Sequence, residues 1–208
     1  MLYVIYRGWM LGASEYQKLV TAISQAGACI QTSSVDYLAT HYLPNWDHLI
    51  KDLTPETHFY HTDGDLKIEL EKLGWDRFFV KDYVKSLKTS MGSIISHPSE
   101  IDLIIAEMHK FRGTIEGGIC VRRVEDFIPT SEQRYFVIDG KVFGSDANEP
   151  IPEIALDCAT RIKSRFFSID TIDRQDGVKR IVEIGDGQVS GLVGWTTERF
   201  VEICHSFN

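Results

Sequence analysis

The chain has 208 residues, with 22 Lys and Arg against 30 Asp and Glu, giving a formal net charge of -8. That length can bury a sizeable core in one compact unit or in two small lobes, and the acidic balance argues against non-specific binding along a nucleic-acid backbone, which needs excess cations. The apolar start runs only to Arg7 and no later window reaches membrane-spanning length, while Cys29, Cys120, Cys158 and Cys204 lack disulfide or zinc spacing, so a cytoplasmic protein is expected.

Residues 2–6 read as a buried strand, residues 14–25 as an amphipathic helix ending at Gly27, and residues 29–32 as a second strand. Residues 35–53 look helical but are broken at Pro44, and residues 57–61 return to a strand pattern. Residues 1–62 are therefore expected to form a short α/β lobe. Thr62-Asp63-Gly64-Asp65 combines turn and capping residues, and the helix it opens, 66–73, stops at Gly74. The remainder, 63–208, carries strand 77–83, a Ser/Thr/Gly-rich loop to residue 93, helix 99–111, strand 118–127, a hairpin over 132–145, helix 152–163, a closing hairpin over 166–190 and helix 197–206. The mixture is α+β.

In strand 77–83, Lys81 stands where a buried strand would normally place an apolar residue. A lysine there wants an anion, or it snorkels from a strand edge. Lys85 shares its parity, and the following loop, with Lys88, hydroxyls and backbone amides, suits a flap over phosphates although it lacks P-loop spacing. Arg122 and Arg123 alternate across a strand, so one should face the interior. Asp139-Gly140 signals a two-residue turn pairing Ile138 with Lys141 and Phe136 with Phe143, which sets Glu132, Arg134 and Phe136 on one face.

Asp176-Gly177 repeats the turn signal in the closing hairpin. A two-residue loop there pairs Ile172 with Ile181, Ile169 with Ile184, and Asp170 with Glu183. Directly opposed like charges are destabilising. Either a divalent cation offsets them, with Asp186 available as a third oxygen ligand, or the pair lies on a solvated face relieved by Lys179 or Arg180. His58 and His61 lie on a strand and turn rather than a helix, which disfavours a metal site, and Asp102 and Glu107 read as a solvated helix face.

Over residues 75–208 this arrangement resembles the ATP-grasp superfamily, in which two α+β lobes close around a nucleotide cleft. The resemblance implies that Phe79-Val80-Lys81 is the strand whose lysine binds the nucleotide phosphates, and that residues 86–93 are the phosphate-covering loop. It makes Glu125-Asp126-Phe127-Ile128 the interlobe segment, with backbone groups near Phe127 and Ile128 on adenine and Glu132 on ribose. Asp170 and Glu183, thirteen residues apart across an Asp-Gly turn, match the family's metal-binding hairpin. Gly185 stands where the family usually carries Asn, so Asp186 or Gln188 would substitute. The segments Val80 to Ser86, Glu132-Gln133-Arg134 and Val182 to Ser190 are similar to a compact clade named for one arginine and two lysines. Lys81 and Lys85 would be the lysines, and Arg122 or Arg134 the arginine. Residues 1–62 then resemble the short α/β lobe that precedes an ATP-grasp domain at 63–208.

The implied cofactors are ATP and Mg²⁺, and the implied activity is an ATP-dependent carboxylate-amine ligase acting through an acyl phosphate on an acid and an amine that the sequence does not name. The catalytic cations would be Arg134, Arg122 and Lys85, with Lys81, Lys85, Lys88, Glu125, Phe127, Ile128 and Glu132 on the nucleotide, and Asp170, Glu183 and Asp186 on the metal. Arg7 would bind a substrate carboxylate. Two other readings are a phosphotransferase or nucleotide-binding module of the same fold, and an interaction scaffold built on Trp46, Trp75 and Trp195, whose rings burial in a core explains more cheaply.

Overall fold

The structure, a computed structural model, describes residues 2–84 and 92–207. The chain divides into two compact units, Met1–Thr54 with Phe127–Asn208, and Pro55–Asp126.

In the first unit, β1 (Leu2–Val4) and β2 (Ala28–Ile30) pair in parallel across α1 (Ala13–Gln25), giving the expected β-α-β opening, but β1 is shorter than the buried strand expected over 2–6 and is exposed at Leu2 and Tyr3. Pro44 divides the next helical stretch into α2 (Ser34–His41) and α3 (Leu43–Asp47), because proline is tolerated in a first turn and nowhere deeper. Ser33 caps α2 by accepting from the Asp36 N–H at 3.1 Å.

The second unit holds β3 (Thr57–Tyr60), α4 (Leu66–Leu73), β4 (Phe78–Asp82), β5 (Ile94–Ile95), α5 (Ile101–Arg112) and β6 (Ile119–Arg123). Its antiparallel sheet runs β3-β6-β4-β5. Asp65 caps α4 through the Ile68 N–H at 3.2 Å, and Gly74 ends it with φ of 63°, the left-handed conformation that glycine takes without steric cost. Phe78 and Val80 point to one face of the sheet, where they pack with Leu66, Leu70, Ile101, Ile104 and Met108 of the two helices. The strand over 57–60, grouped by sequence with residues 1–62, pairs with β6 in this sheet, so the contact boundary falls after Thr54 rather than near residue 62. Pairing with a strand distant in sequence outweighs adjacency along the chain.

The first unit resumes with β7 (Gln133–Ile138), β8 (Lys141–Phe143), α6 (Glu153–Arg161), β9 (Phe166–Asp173), β10 (Lys179–Asp186) and α7 (Thr197–Cys204). Its antiparallel sheet runs β10-β9-β7-β8. Phe136, Ile138, Phe143, Phe166, Trp195, Phe200 and Ile203 form a core on one face. Gly187 lies against it: a Cβ there would sit 2.5 Å from the fully buried Phe166 ring. Gly187→Ala should therefore lower stability by about 1–3 kcal/mol through overpacking. Urea unfolding checks this, and an unchanged midpoint would mean the ring can retreat.

The two Asp-Gly turns differ. Asp139 and Gly140 both have positive φ, 48° and 81°, and form the two-residue loop with the expected register. At Asp176-Gly177 only Gly177 is left-handed, with φ of 85°. The Arg174 N–H donates to the Val178 carbonyl and the Gly177 N–H to the Arg174 carbonyl, so the loop has three residues, Gln175 to Gly177. Ile172 consequently faces Arg180, not Ile181. A bulge between Ile181 and Glu183 then restores the expected register for Glu183 with Asp170 and Ile184 with Ile169. At the bulge the backbone of Ile181 faces away from β9, its N–H donating to Leu53 O at 2.9 Å and its carbonyl accepting from Thr54 Oγ1 at 2.8 Å, while its side chain is fully buried.

Candidate functional site

The charged end of the first unit's sheet is built by strand register. Arg134 on β7 faces Asp170 on β9, and Asp170 faces Glu183 on β10, so the three form one row across adjacent strands. Alternation puts all three side chains on the same sheet face. Arg134 clasps Asp170 with two parallel bonds, Nε to Oδ1 at 2.7 Å and Nη2 to Oδ2 at 2.5 Å, while Nη1 donates to Gly191 O at 2.8 Å. Asp170 is buried and Arg134 partly so, with side-chain exposures of 5% and 15%. Burial disfavours the guanidinium charge, but the hydrogen bonds and fields of Asp170, with Glu183 and Glu132, more than offset it, and Arg134 titrates above an ordinary arginine.

Lys179 and Arg180, the cations expected to relieve the pair on a solvated face, are engaged elsewhere: Lys179 pairs with Asp173 at 2.7 Å, and Arg180 donates to the carbonyls of Asp52 and Thr54. The partnership of Arg134 with Asp170 escapes sequence reading, because no local signal fixes which strand lies beside β9.

In the second unit, Lys81 is 3% exposed and Arg122 4% exposed. The register sets Lys81 opposite Cys120 and Arg122 opposite Phe79, so both cations lie on the sheet face turned away from the Phe78–Val80 core. Arg122, as expected for one of the two arginines, is the inward one; its Nε donates to Thr57 Oγ1 at 3.0 Å, and Arg123 is exposed. Asp82 fixes the chain beyond Lys81 by accepting from the Val84 N–H at 2.8 Å. Lys85 and Lys88, with most of the loop expected to cover phosphates, lie outside the described residues.

A family profile for the ATP-grasp domain, family 3 of the clade named for one arginine and two lysines, matches residues 72–203. The chain belongs to the ATP-grasp superfamily. No curated protein matches it. Among solved structures it is similar to the D-cycloserine synthetase DcsG, at 11% identity and TM-score 0.65, covering 99% of this chain and 84% of that one. The D-alanine-D-alanine ligase of Coxiella burnetii aligns at 13% identity and TM-score 0.58, over 83% of this chain and 56% of its own length. The ATP-grasp ligase PsnB, solved with a minimal precursor, Mg and ADP, aligns at 13% identity and TM-score 0.51, over 84% of this chain and 59% of its own. The chain thus spans little more than half of two of these ligases, and what is shared is the α+β ATP-grasp fold.

Within that fold, Asp170 and Glu183 suit magnesium: the ion takes hard oxygen ligands, commonly one or two carboxylates completed by phosphate and water. The adjacent like charges already attract one cation, Arg134. Asp186, expected as a third ligand, lies elsewhere. Three positions beyond Glu183 it points to the opposite sheet face, and among the described residues no three His, Cys, Asp or Glu side chains converge as a metal-binding group. Its Oδ1 accepts from the Gln188 N–H at 3.0 Å, and Gln188 Nε2 donates to Tyr16 Oη at 2.6 Å. Gln188 is likewise committed, its Oε1 accepting from the Tyr6 N–H. Gly185 does share the Glu183 face. The space its side chain would fill holds the Ser168 and Ser190 hydroxyls, 2.7 Å apart, which a Cβ at 185 would approach to 3.1 and 2.9 Å.

Desolvation raises the Asp186 carboxyl to about 7 against the hydrogen bonds of Gln188 and Val189 and the field of Arg7. A folded value above the unfolded one means a contribution to stability that is full below about 3.8 and is lost as pH rises through 7. Asp186→Asn should therefore match the parent near pH 4 and exceed it by up to about 4 kcal/mol at pH 8. Urea unfolding across that range checks this; a gap independent of pH would mean that Asp186 does not titrate as described.

Of the other expected residues, Glu132 lies near enough to the row to add to the field on Arg134. Ile128 has its N–H bonded to Asp173 O at 2.8 Å and its carbonyl taken by the Ser131 N–H and hydroxyl, so its backbone is already engaged. Phe127 bridges to Arg174, Glu125 is half-buried and Glu132 exposed. Arg7 donates to the carbonyls of Gly187, Gln188 and Ser190 and stacks on Phe200, tying the end of β1 to the loop after β10 rather than presenting an open anion site.

Proposed function

We propose that this ATP-grasp protein is an ATP- and Mg²⁺-dependent ligase that joins a carboxylate to an amine through an acyl phosphate. The observation that carries the reading is the Arg134–Asp170–Glu183 row, two adjacent carboxylates on the hairpin that the family resemblance assigns to the metal. Asp170 and Glu183 would hold Mg²⁺, which supplies positive charge to phosphate oxygens. Lys81 and Arg122 are buried cations suited to neutralising the triphosphate, a role we extend to Lys85 and Lys88. Glu125 and Phe127 would contact the base and Glu132 the ribose.

A substrate carboxylate oxygen then bonds to the γ-phosphorus as ADP departs, and an amine nitrogen attacks the acyl carbon, expelling phosphate. No side-chain nucleophile is needed. A short lobe preceding the ATP-grasp domain, its end moved from residue 62 to Thr54 because β3 pairs with β6, and a cytoplasmic location, belong to the same proposal. Among the described residues no helix is long and apolar enough to cross a membrane.

The serine pair in place of an Asn favours a second reading, a phosphotransferase or nucleotide-binding module of the same fold. Equilibrium dialysis of the full chain should show ATP binding that requires Mg²⁺, and ADP and phosphate should form only when an acid and an amine are both supplied. Binding without amine-dependent turnover would favour the second reading. No binding at millimolar ATP would overturn both.

A further inference from the structure

The carboxylate row carries its own cation. Asp170 and Glu183 bring two negative charges onto neighbouring strands, and Arg134 supplies one positive charge through both oxygens of Asp170. The formal charges of these three side chains sum to one negative. A divalent ion in place of the guanidinium would neutralise it; Arg134 takes one bond on each Asp170 oxygen and leaves a lone pair on each, so the two compete through charge, because two cations on one buried carboxylate repel each other strongly. The arginine is held from behind as well: Trp195 Nε1 donates to its carbonyl at 2.9 Å and its Nη1 reaches Gly191 O. Those bonds fix its backbone and one arm in register with Asp170 while leaving the side chain's forked contact as the part that can exchange.

We propose that Arg134 is an exchangeable counter-cation: it holds Asp170 and Glu183 together while no metal is bound, and releases Asp170 when a divalent ion enters. This rests on the reading of Asp170 and Glu183 as the metal pair. Metal entry and arginine release are then one coupled event, and the freed guanidinium, on a backbone still held by Trp195, becomes available to an anion arriving with the metal. The bare protein binds free divalent ions weakly, since the ion must displace the guanidinium without offering it another anion; a metal brought with a polyphosphate offers one. Arg134 is in this respect a positioning residue, acting through Asp170.

The test uses Mn²⁺ alone, without nucleotide, on the full chain. Arg134→Met, which keeps the stem and removes the fork, should bind Mn²⁺ about tenfold or more tightly than the parent, the size expected for a coupling of this kind. It should also gain thermal stability on adding Mn²⁺, whereas the parent should gain little. Arg134→Lys, which retains charge without the bidentate geometry, should fall between them, and it serves if the methionine variant does not fold without metal. Equal or weaker Mn²⁺ binding by both variants would overturn the proposal. The parent's Mg²⁺-dependent ATP binding is measured in parallel: if it is present while the variants bind Mn²⁺ no better, the exchange fails and the ligase reading stands. If the parent binds no ATP but Arg134→Met binds Mn²⁺ tightly, the exchange stands and the ligase reading fails.

Discussion

Asp170→Ala is expected to lower folding stability by about 3–5 kcal/mol and to abolish Mg²⁺-dependent nucleotide binding. The stability loss comes from Arg134, whose side chain is only 15% exposed and would keep its charge without the carboxylate that clasps it. Removing one member of a buried pair costs more than the pair contributes, because the survivor remains desolvated. The double replacement Arg134→Met with Asp170→Leu should therefore recover most of the stability while leaving nucleotide binding absent. Urea unfolding of the four members of this cycle measures the coupling. A single-variant loss below about 1 kcal/mol would mean that the pair behaves as an exposed one.

Lys81→Met should reduce ATP turnover by about 10²–10³-fold, the size seen when a positioned charge is removed from a water-excluded site. Methionine keeps the unbranched stem within β4, so the packing of Phe78 and Val80 on the other sheet face is left alone. Lys81→Arg should not restore activity, because a planar fork on a 3%-exposed strand position has neither the room nor the point-charge geometry of an ammonium. Steady-state ADP release, with circular dichroism to establish folding, reads this out. Full activity in Lys81→Met would remove the lysine from the phosphate site.

The sequence is most legible where a local rule has one solution. The cap at Asp65, the stop at Gly74, the helix break at Pro44 and the Asp139-Gly140 turn all follow from the conformations those residues prefer. It is least legible where partners are distant. Nothing near residues 57–60 announces that they pair with β6, and the two-residue strand β5 is too short to carry a period. The candidate site divides the same way. Asp170 opposite Glu183 is readable from a hairpin, whereas Arg134 beside Asp170 depends on β7 and β9 meeting across an intervening strand and helix. Asp186 is misplaced by its proximity in sequence, although the alternation of a strand already separates residues three apart.

The pairing of Asp170 with Glu183 arises for a reason the turn alone does not contain. The loop is one residue longer than a two-residue turn, and the bulge before Glu183 takes up that residue. The two irregularities act as an insertion and its compensation within one hairpin. Deleting Gln175 would leave Arg174 opposite Val178 across a tight Asp-Gly turn, and with the bulge kept, Asp170 would still face Glu183. The position of the carboxylates is thus set by where the ladder closes, Arg174 with Val178, and by the bulge, and not by the number of residues in the exposed turn.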